Sequence, residues 1–158
     1  MLDIDNRTKR LKLKVSALEN GTVIDHIPSE SLFKVISILD LDKTTNMITF
    51  GANLDSNTQG NKAIIKVANK YFENNEIDKI ALIARNAKIN VIKDYVVIEK
   101  KIVEVPDDIT GIVKCFNPKC ITNNEPVRTS FKVTGKNPIN LKCKYCEKIT
   151  HENQIVIK

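Results

Sequence analysis

Cys115, Cys120, Cys143 and Cys146 are the only cysteines in the 158-residue chain, spaced C-x4-C-x22-C-x2-C. A two-residue spacer lets a tight turn aim two sulfurs at one point. The four-residue spacer, which contains Pro118, does the same through a wider loop. Two such knuckles facing each other supply tetrahedral thiolates, and Zn2+ best accepts four of them without redox chemistry. Two disulfides are the alternative in an oxidising compartment, and iron–sulfur ligation is chemically allowed. Four protein ligands close the coordination sphere, so one zinc per chain is expected to be structural and not catalytic. His151 lies close in sequence but is surplus to a filled sphere.

Catalytic patterns are missing: there is no Gly-rich phosphate loop, no GxSxG and no HExxH. The two histidines are His26 and His151. His26 follows Asp25 in "VIDHIP", but neighbours on a strand point to opposite faces, so adjacency predicts no acid–base dyad. An anion-binding role for His26 fits better than catalysis, and a structural role is the plain alternative. The chain reads as a binding protein and not an enzyme.

Elements that would position these residues follow from periodicity. "LKLKVSALE" (11–19) alternates as a half-buried strand, and "TVIDHI" continues extended after Gly21. Pro28 opens a helical stretch with Leu32, Phe33, Ile36 and Leu39 at helical spacing. Strands are predicted at 46–54 and 63–71, joined through "DSNTQGNK". Asn75 is placed to cap a helix over 76–85, and strands at 87–93 and 95–105 turn at Lys93-Asp94. The order predicts an α+β fold: a ferredoxin-like βαββαβ domain with one additional strand, helices on one face and the other free for a partner. Pro106, Asp107, Asp108 and Gly111 break the pattern, so residues 1–106 are expected to form one domain and 107–158 a small β domain. About fifty residues bury too little core alone and need a staple, which the cysteines provide.

Charge excludes less than the net +6 implies. Residues 107–158 carry nine basic and five acidic side chains, and arginine occurs only at 7, 10, 85 and 128. That is a weak footprint for nucleic acid, and a zinc-ribbon nucleic-acid-binding protein is the second reading. No stretch has the apolar length of a membrane span, and "MLDIDNRTKR" lacks the apolar core of a secretion signal. A soluble cytoplasmic protein is expected.

"GTVIDHIP", "ITFGANL", "NVIKDYVVIEK", "CFNPKCI" and "LKCKYCEK" occur in this order. Together they resemble the regulatory chain of aspartate carbamoyltransferase, over about residues 11–158. The resemblance implies a non-catalytic allosteric subunit of pyrimidine biosynthesis, with CTP, UTP and ATP as effectors. It also implies regulatory dimers that bridge catalytic trimers, and a zinc domain that contacts the catalytic chain. Nucleotide-contacting positions carried over from the family are Val15, Ala17 and Leu18 near the base, and Asp25 near the ribose. His26 and Lys100 match positions near the triphosphate, and Lys66, Asn90, Ile92, Tyr95 and Val97 complete the pocket. Ser16, the loop "DSNTQGNK" and Lys119 depart from familiar members, while Asn117 and Glu147 are retained.

Overall fold

The computed structural model describes residues 18–57 and 60–158. Strands β1 (Gly21–Pro28), β2 (Ile48–Ser56), β3 (Gly60–Ala68), β4 (Lys88–Lys93) and β5 (Val96–Ile102) form one antiparallel sheet in the order β2-β3-β1-β4-β5. With helices α1 (Leu32–Ile38) and α2 (Asn74–Ile83), this is the expected ferredoxin-like order, the extra strand β5 lying beside β4. Ile65, Ile24 and Ile89 make one row across β3, β1 and β4, and they share a core with Leu32, Val35 and Ile36 of α1 and Ile80 and Ala81 of α2. Those side chains dictate which face the helices cover, because paired residues project to the same side.

Several boundaries differ from the periodicity. Of the predicted first strand, residues 11–17 lie outside the described residues; Leu18 is buried and Glu19–Asn20 form a bend leading into β1. Gly21 has φ 141°, and a Cβ there would strike the Val67 carbonyl and the Asn69 backbone, so only glycine opens this central strand. Pro28 ends β1 instead of opening the helix, and a 3-10 turn (Ser29–Ser31) intervenes. Glu73, not Asn75, is the N-cap residue of α2; Asn75 sits in the first turn, where its Oδ1 accepts from Glu76 N at 2.9 Å. β3 stops at Ala68 because Asn69 turns left-handed, φ 57°. Asp94 and Tyr95, with φ 49° and 64°, form the two-residue hairpin turn between β4 and β5, whose twist suits the flanking strands.

After residue 106 a second antiparallel sheet runs β6 (Asp108–Thr110), β7 (Ser130–Lys136), β8 (Ile139–Cys143) and β9 (Ile149–His151), in that order. A single-turn helix, α3 (Ile121–Asn124), precedes β7. Ile109, Phe131, Ile139 and Leu141 are fully buried here, and through Val103, Val105 and Ile112 their core is continuous with that of the first sheet. Arg85, just beyond α2, ties the two sheets: its guanidinium donates to the Lys136 carbonyl at 2.8 Å and pairs with Glu152 at 3.2 Å. Among the described residues no helix is long and apolar enough to cross a membrane.

Candidate metal centre and anion-binding face

The two cysteine knuckles meet. Cys115 and Cys146 sulfurs are 3.7 Å apart, Cys120 and Cys143 sulfurs 3.8 Å, and all four lie within 4.8 Å of one another. Thiolates about 2.3 Å from a tetrahedral zinc stand about 3.8 Å from each other, so the donor set fits an ion of that size. The same separations are far too long for disulfides, whose S–S bond is about 2.05 Å.

Local hydrogen bonds explain how the sequence builds this. Cys120 N donates to Asn117 O at 3.0 Å, closing the first knuckle. Asn123 Nδ2 donates to the carbonyls of Cys115 (2.9 Å) and Asn117 (2.7 Å), and Asn124 Nδ2 to those of Pro118 (3.1 Å) and Cys120 (2.8 Å). α3 therefore acts as a clamp on the wider loop. In the second knuckle Glu147 takes φ 63° and donates its N–H to Cys143 O at 2.9 Å, and Cys143 N donates to Lys148 O at 2.9 Å.

The sulfurs also receive donors. Thr122 Oγ1 donates to Cys120 Sγ at 3.2 Å. Backbone N–H groups of Asn117, Tyr145, Cys146 and Lys148 point at the sulfurs of Cys115, Cys143, Cys143 and Cys146 respectively. Burial still pushes the Cys115 thiol up to about 12, against the Asn117 N–H, and raises Cys143 as well. Burial also acts upward on Cys146, but the Lys148 N–H, the Asn117 side chain and the neighbouring thiols outweigh it and hold that thiol at about 7. A bound metal cation would supply the positive charge that lets all four ionise together. His151 stays out of the cluster; its Nδ1 lies 2.8 Å from Asn140 Oδ1.

The second candidate region is the face of the five-stranded sheet turned away from the helices. Register puts Lys66 opposite Val23, Val23 opposite Asn90 and Asn90 opposite Lys100, one row across β3, β1, β4 and β5. The next rows on this face hold Asp25, Lys88 and Ile102 on one side and Ala68, Gly21, Ile92 and Val97 on the other. A cavity of about 460 Å3 is lined by Asp25, His26, Lys88, Asn90, Lys100, Lys101 and Ile102. Beside it Leu18, Val23, Ala68 and Ile92 pack into a small apolar patch with Ile64.

Lys66 is 6% exposed, and its Nζ has no hydrogen-bond partner among the described residues. Burial depresses its proton affinity, with the nearby Asp25 charge opposing. Asp25 itself is held by Lys62 Nζ, 2.9 Å from Oδ1 and 3.2 Å from Oδ2, and accepts from His26 N at 2.6 Å. Asp25 and His26 do not alternate as neighbours on a regular strand do, because β1 is irregular between Ile24 and Ile27 and His26 adopts φ 58°. This irregularity brings His26 Nδ1 to 3.5 Å from Asp25 Oδ1, too far for a good hydrogen bond. Desolvation first, with Asp25 opposing and Lys62 and Lys88 assisting, lowers the His26 pKa below 6.5, so the imidazole is neutral at neutral pH.

Asp25, His26, Asn90 and Lys100 thus line one cavity, while Lys66, Ile92 and Val97 stand on the same face beside it. Leu18 belongs to the apolar patch, and Tyr95 is exposed in the β4–β5 turn with its N–H donating to Glu19 O at 3.0 Å. Val15 and Ala17 lie outside the described residues. Sequence reasoning missed Lys62, Lys88, Lys101 and the clamp residues Thr122, Asn123 and Asn124. Lys88 was within reach, since period-two alternation from Asn90 puts it on the same face.

A family model for the aspartate carbamoyltransferase regulatory chain, allosteric domain, matches residues 13–104. A model for the metal binding domain of that regulatory chain matches residues 107–156, which contain all four cysteines. The four cysteines are thus the candidate ligands of a matched metal binding domain. A protein of Parabacteroides distasonis named aspartate carbamoyltransferase regulatory chain is 53% identical over 150 residues, 95% of this chain and 97% of that one. Similarly named proteins of Bacteroides fragilis (54% identical, 92% of this chain and 95% of that one) and Thermococcus sibiricus (52% identical, 92% and 96%) match over 145 residues each.

Proposed function

Since this chain belongs to the family of aspartate carbamoyltransferase regulatory chains, a non-catalytic subunit, we propose that the sheet face turned away from the helices binds CTP, UTP and ATP. The observation that carries the reading is Lys66, a buried ammonium without a partner among the described residues, in one row with Asn90 and Lys100. A buried unpaired cation is costly unless an anion completes it, and a nucleotide phosphate is such an anion. The apolar patch of Leu18, Val23, Ala68 and Ile92 offers the base a dry neighbour, and the backbone groups near it can read the base edge.

In this reading residues 1–106 form the nucleotide domain and residues 107–158 the metal domain, with one structural zinc on Cys115, Cys120, Cys143 and Cys146. The metal domain docks the catalytic chain. Phe116, Ile121 and Tyr145, each next to a cysteine and 55%, 44% and 50% exposed, supply an apolar surface more suited to protein than to nucleic acid. Regulatory dimers bridge catalytic trimers in the cytoplasm, and effectors shift the enzyme by binding its two states unequally.

The test mixes the metal-loaded full chain with purified aspartate carbamoyltransferase catalytic trimer. Co-elution, together with a change of catalytic rate on adding CTP or ATP that the trimer alone lacks, is the expected result. A trimer that neither associates nor acquires a nucleotide response overturns the proposal. Binding to nucleic acid that weakens steeply with salt would instead favour the zinc-ribbon reading.

A further inference from the structure

We propose that Lys88 binds the polyphosphate end of the effector and makes the pocket prefer nucleoside triphosphates over monophosphates. This rests on the nucleotide reading of that sheet face, and it assigns a residue that the family resemblance did not bring to that pocket.

Lys88 begins β4 directly across from Asp25 and two residues before Asn90, so it shares their face. It lines the cavity together with His26, Asn90 and Lys100. Asp25 is the acid in that lining, but its carboxylate is already engaged by Lys62 at 2.9 Å. Lys88 enters no ion pair among the described residues, and its charge reaches the His26 imidazole, where it disfavours protonation. With the single negative charge of Asp25 shared between Lys62 and Lys66 and with His26 neutral, the four lysines Lys62, Lys66, Lys88 and Lys100 leave an excess of three positive charges on this face. A triphosphate carries a matching charge and a monophosphate does not.

The positions also spread that charge along a line. Lys100 pairs with Asn90 and Lys88 pairs with Ile102, so the two lysines are diagonal neighbours on adjacent strands. Diagonal positions lie roughly 7–8 Å apart. A single phosphate engaged by one of these ammonium groups leaves the other to water, whereas a phosphate chain gives each its own oxygens. Lys101 projects to the helix side by register and borders cavities on both faces, so it contributes at the rim.

The experiment measures CTP and CMP affinity of the metal-loaded full chain by calorimetry at one ionic strength, with inorganic tripolyphosphate as a competitor lacking a base. Lys88→Gln is expected to weaken CTP about three- to tenfold and CMP less than about twofold, and to relieve tripolyphosphate competition. Lys88→Arg should keep CTP affinity within about twofold of the parent, since the charge is retained. Lys34→Gln, an exposed lysine on α1, is the control for general surface charge and should change neither ligand. Lys88 is solvent-exposed, so its variants keep the fold. If Lys88→Gln weakens CTP and CMP equally, or leaves CTP unchanged while the parent binds it, the assignment of Lys88 is overturned and the nucleotide face stands. If the parent binds no CTP, both fall.

Discussion

Replacing Lys66 with Met separates the cost of a buried ammonium from its use. The side chain is 6% exposed and its Nζ lacks a hydrogen-bond partner among the described residues, although the Asp25 charge is near enough to act on it. Met keeps the unbranched apolar stem and removes the charge. Releasing a buried cation that Asp25 compensates only in part should stabilise the effector-free protein by about 1–2 kcal/mol, well below the full desolvation cost. For a chain of this size each kcal/mol moves the melting temperature by roughly 2–4 °C. The same change removes a charge-assisted phosphate contact and should weaken CTP at least about tenfold. Stability against pH gives a third readout. The folded-state pKa of Lys66 is depressed below the usual 10.5. Between that depressed value and 10.5 the unfolded chain holds a proton that the folded chain lacks, so the parent gains stability as pH rises through this window. The gain should vanish in Lys66→Met. Thermal melts across alkaline pH, with and without CTP, decide the matter. A Met variant that melts lower than the parent without effector, and binds CTP as well as before, refutes the reasoning.

Other consequences concern the metal centre and the tie between sheets. Metal uptake must deprotonate the Cys115 thiol, held at about 12, so apparent metal affinity should rise with pH and proton release should be measurable by titration in two buffers. Chelation should unfold β6–β9, seen as loss of amide dispersion for residues 107–158, while β1–β5 stay folded. Asn123→Ala removes both amide donors that hold the Cys115 and Asn117 carbonyls and should lower metal affinity by about 10- to 100-fold, measured by competition with a chelating dye. Arg85→Ala breaks the bonds to Lys136 O and Glu152; because these groups are about one-third exposed, the stability loss should stay under about 1 kcal/mol. CTP affinity should be unchanged in that variant, and any altered rate response of the assembled enzyme to CTP would locate coupling at this tie.

Much of this was legible in the sequence, for reasons that differ by region. The cysteine spacings alone dictated two knuckles, since short loops leave the sulfurs few places to point. The βαββαβ order followed from periodicity, because strands and helices each bury one side at their own repeat. Element ends were less legible: Pro28 closes β1, Asn75 sits inside the first turn of α2, and Tyr95 joins Asp94 in the turn because both adopt left-handed backbone there. Asp25 and His26 show the limit of alternation. A strict strand would part them, and an irregularity in β1 with His26 at φ 58° brings the ring back toward the carboxylate.

Local pattern could not assign the lysines. Lys62, Lys66, Lys88 and Lys100 look alike in sequence, each a lysine in or beside a strand. Tertiary placement makes Lys62 a partner for Asp25 across the β1 irregularity, buries Lys66 and leaves Lys88 and Lys100 lining the same cavity. Local pattern was enough for the order of the elements and for each cysteine knuckle, because both depend on residues near one another in the chain. Which charges are neutralised and which remain for a ligand was settled by the fold, because β1 is brought beside β3 and β4 from 34 to 71 residues away.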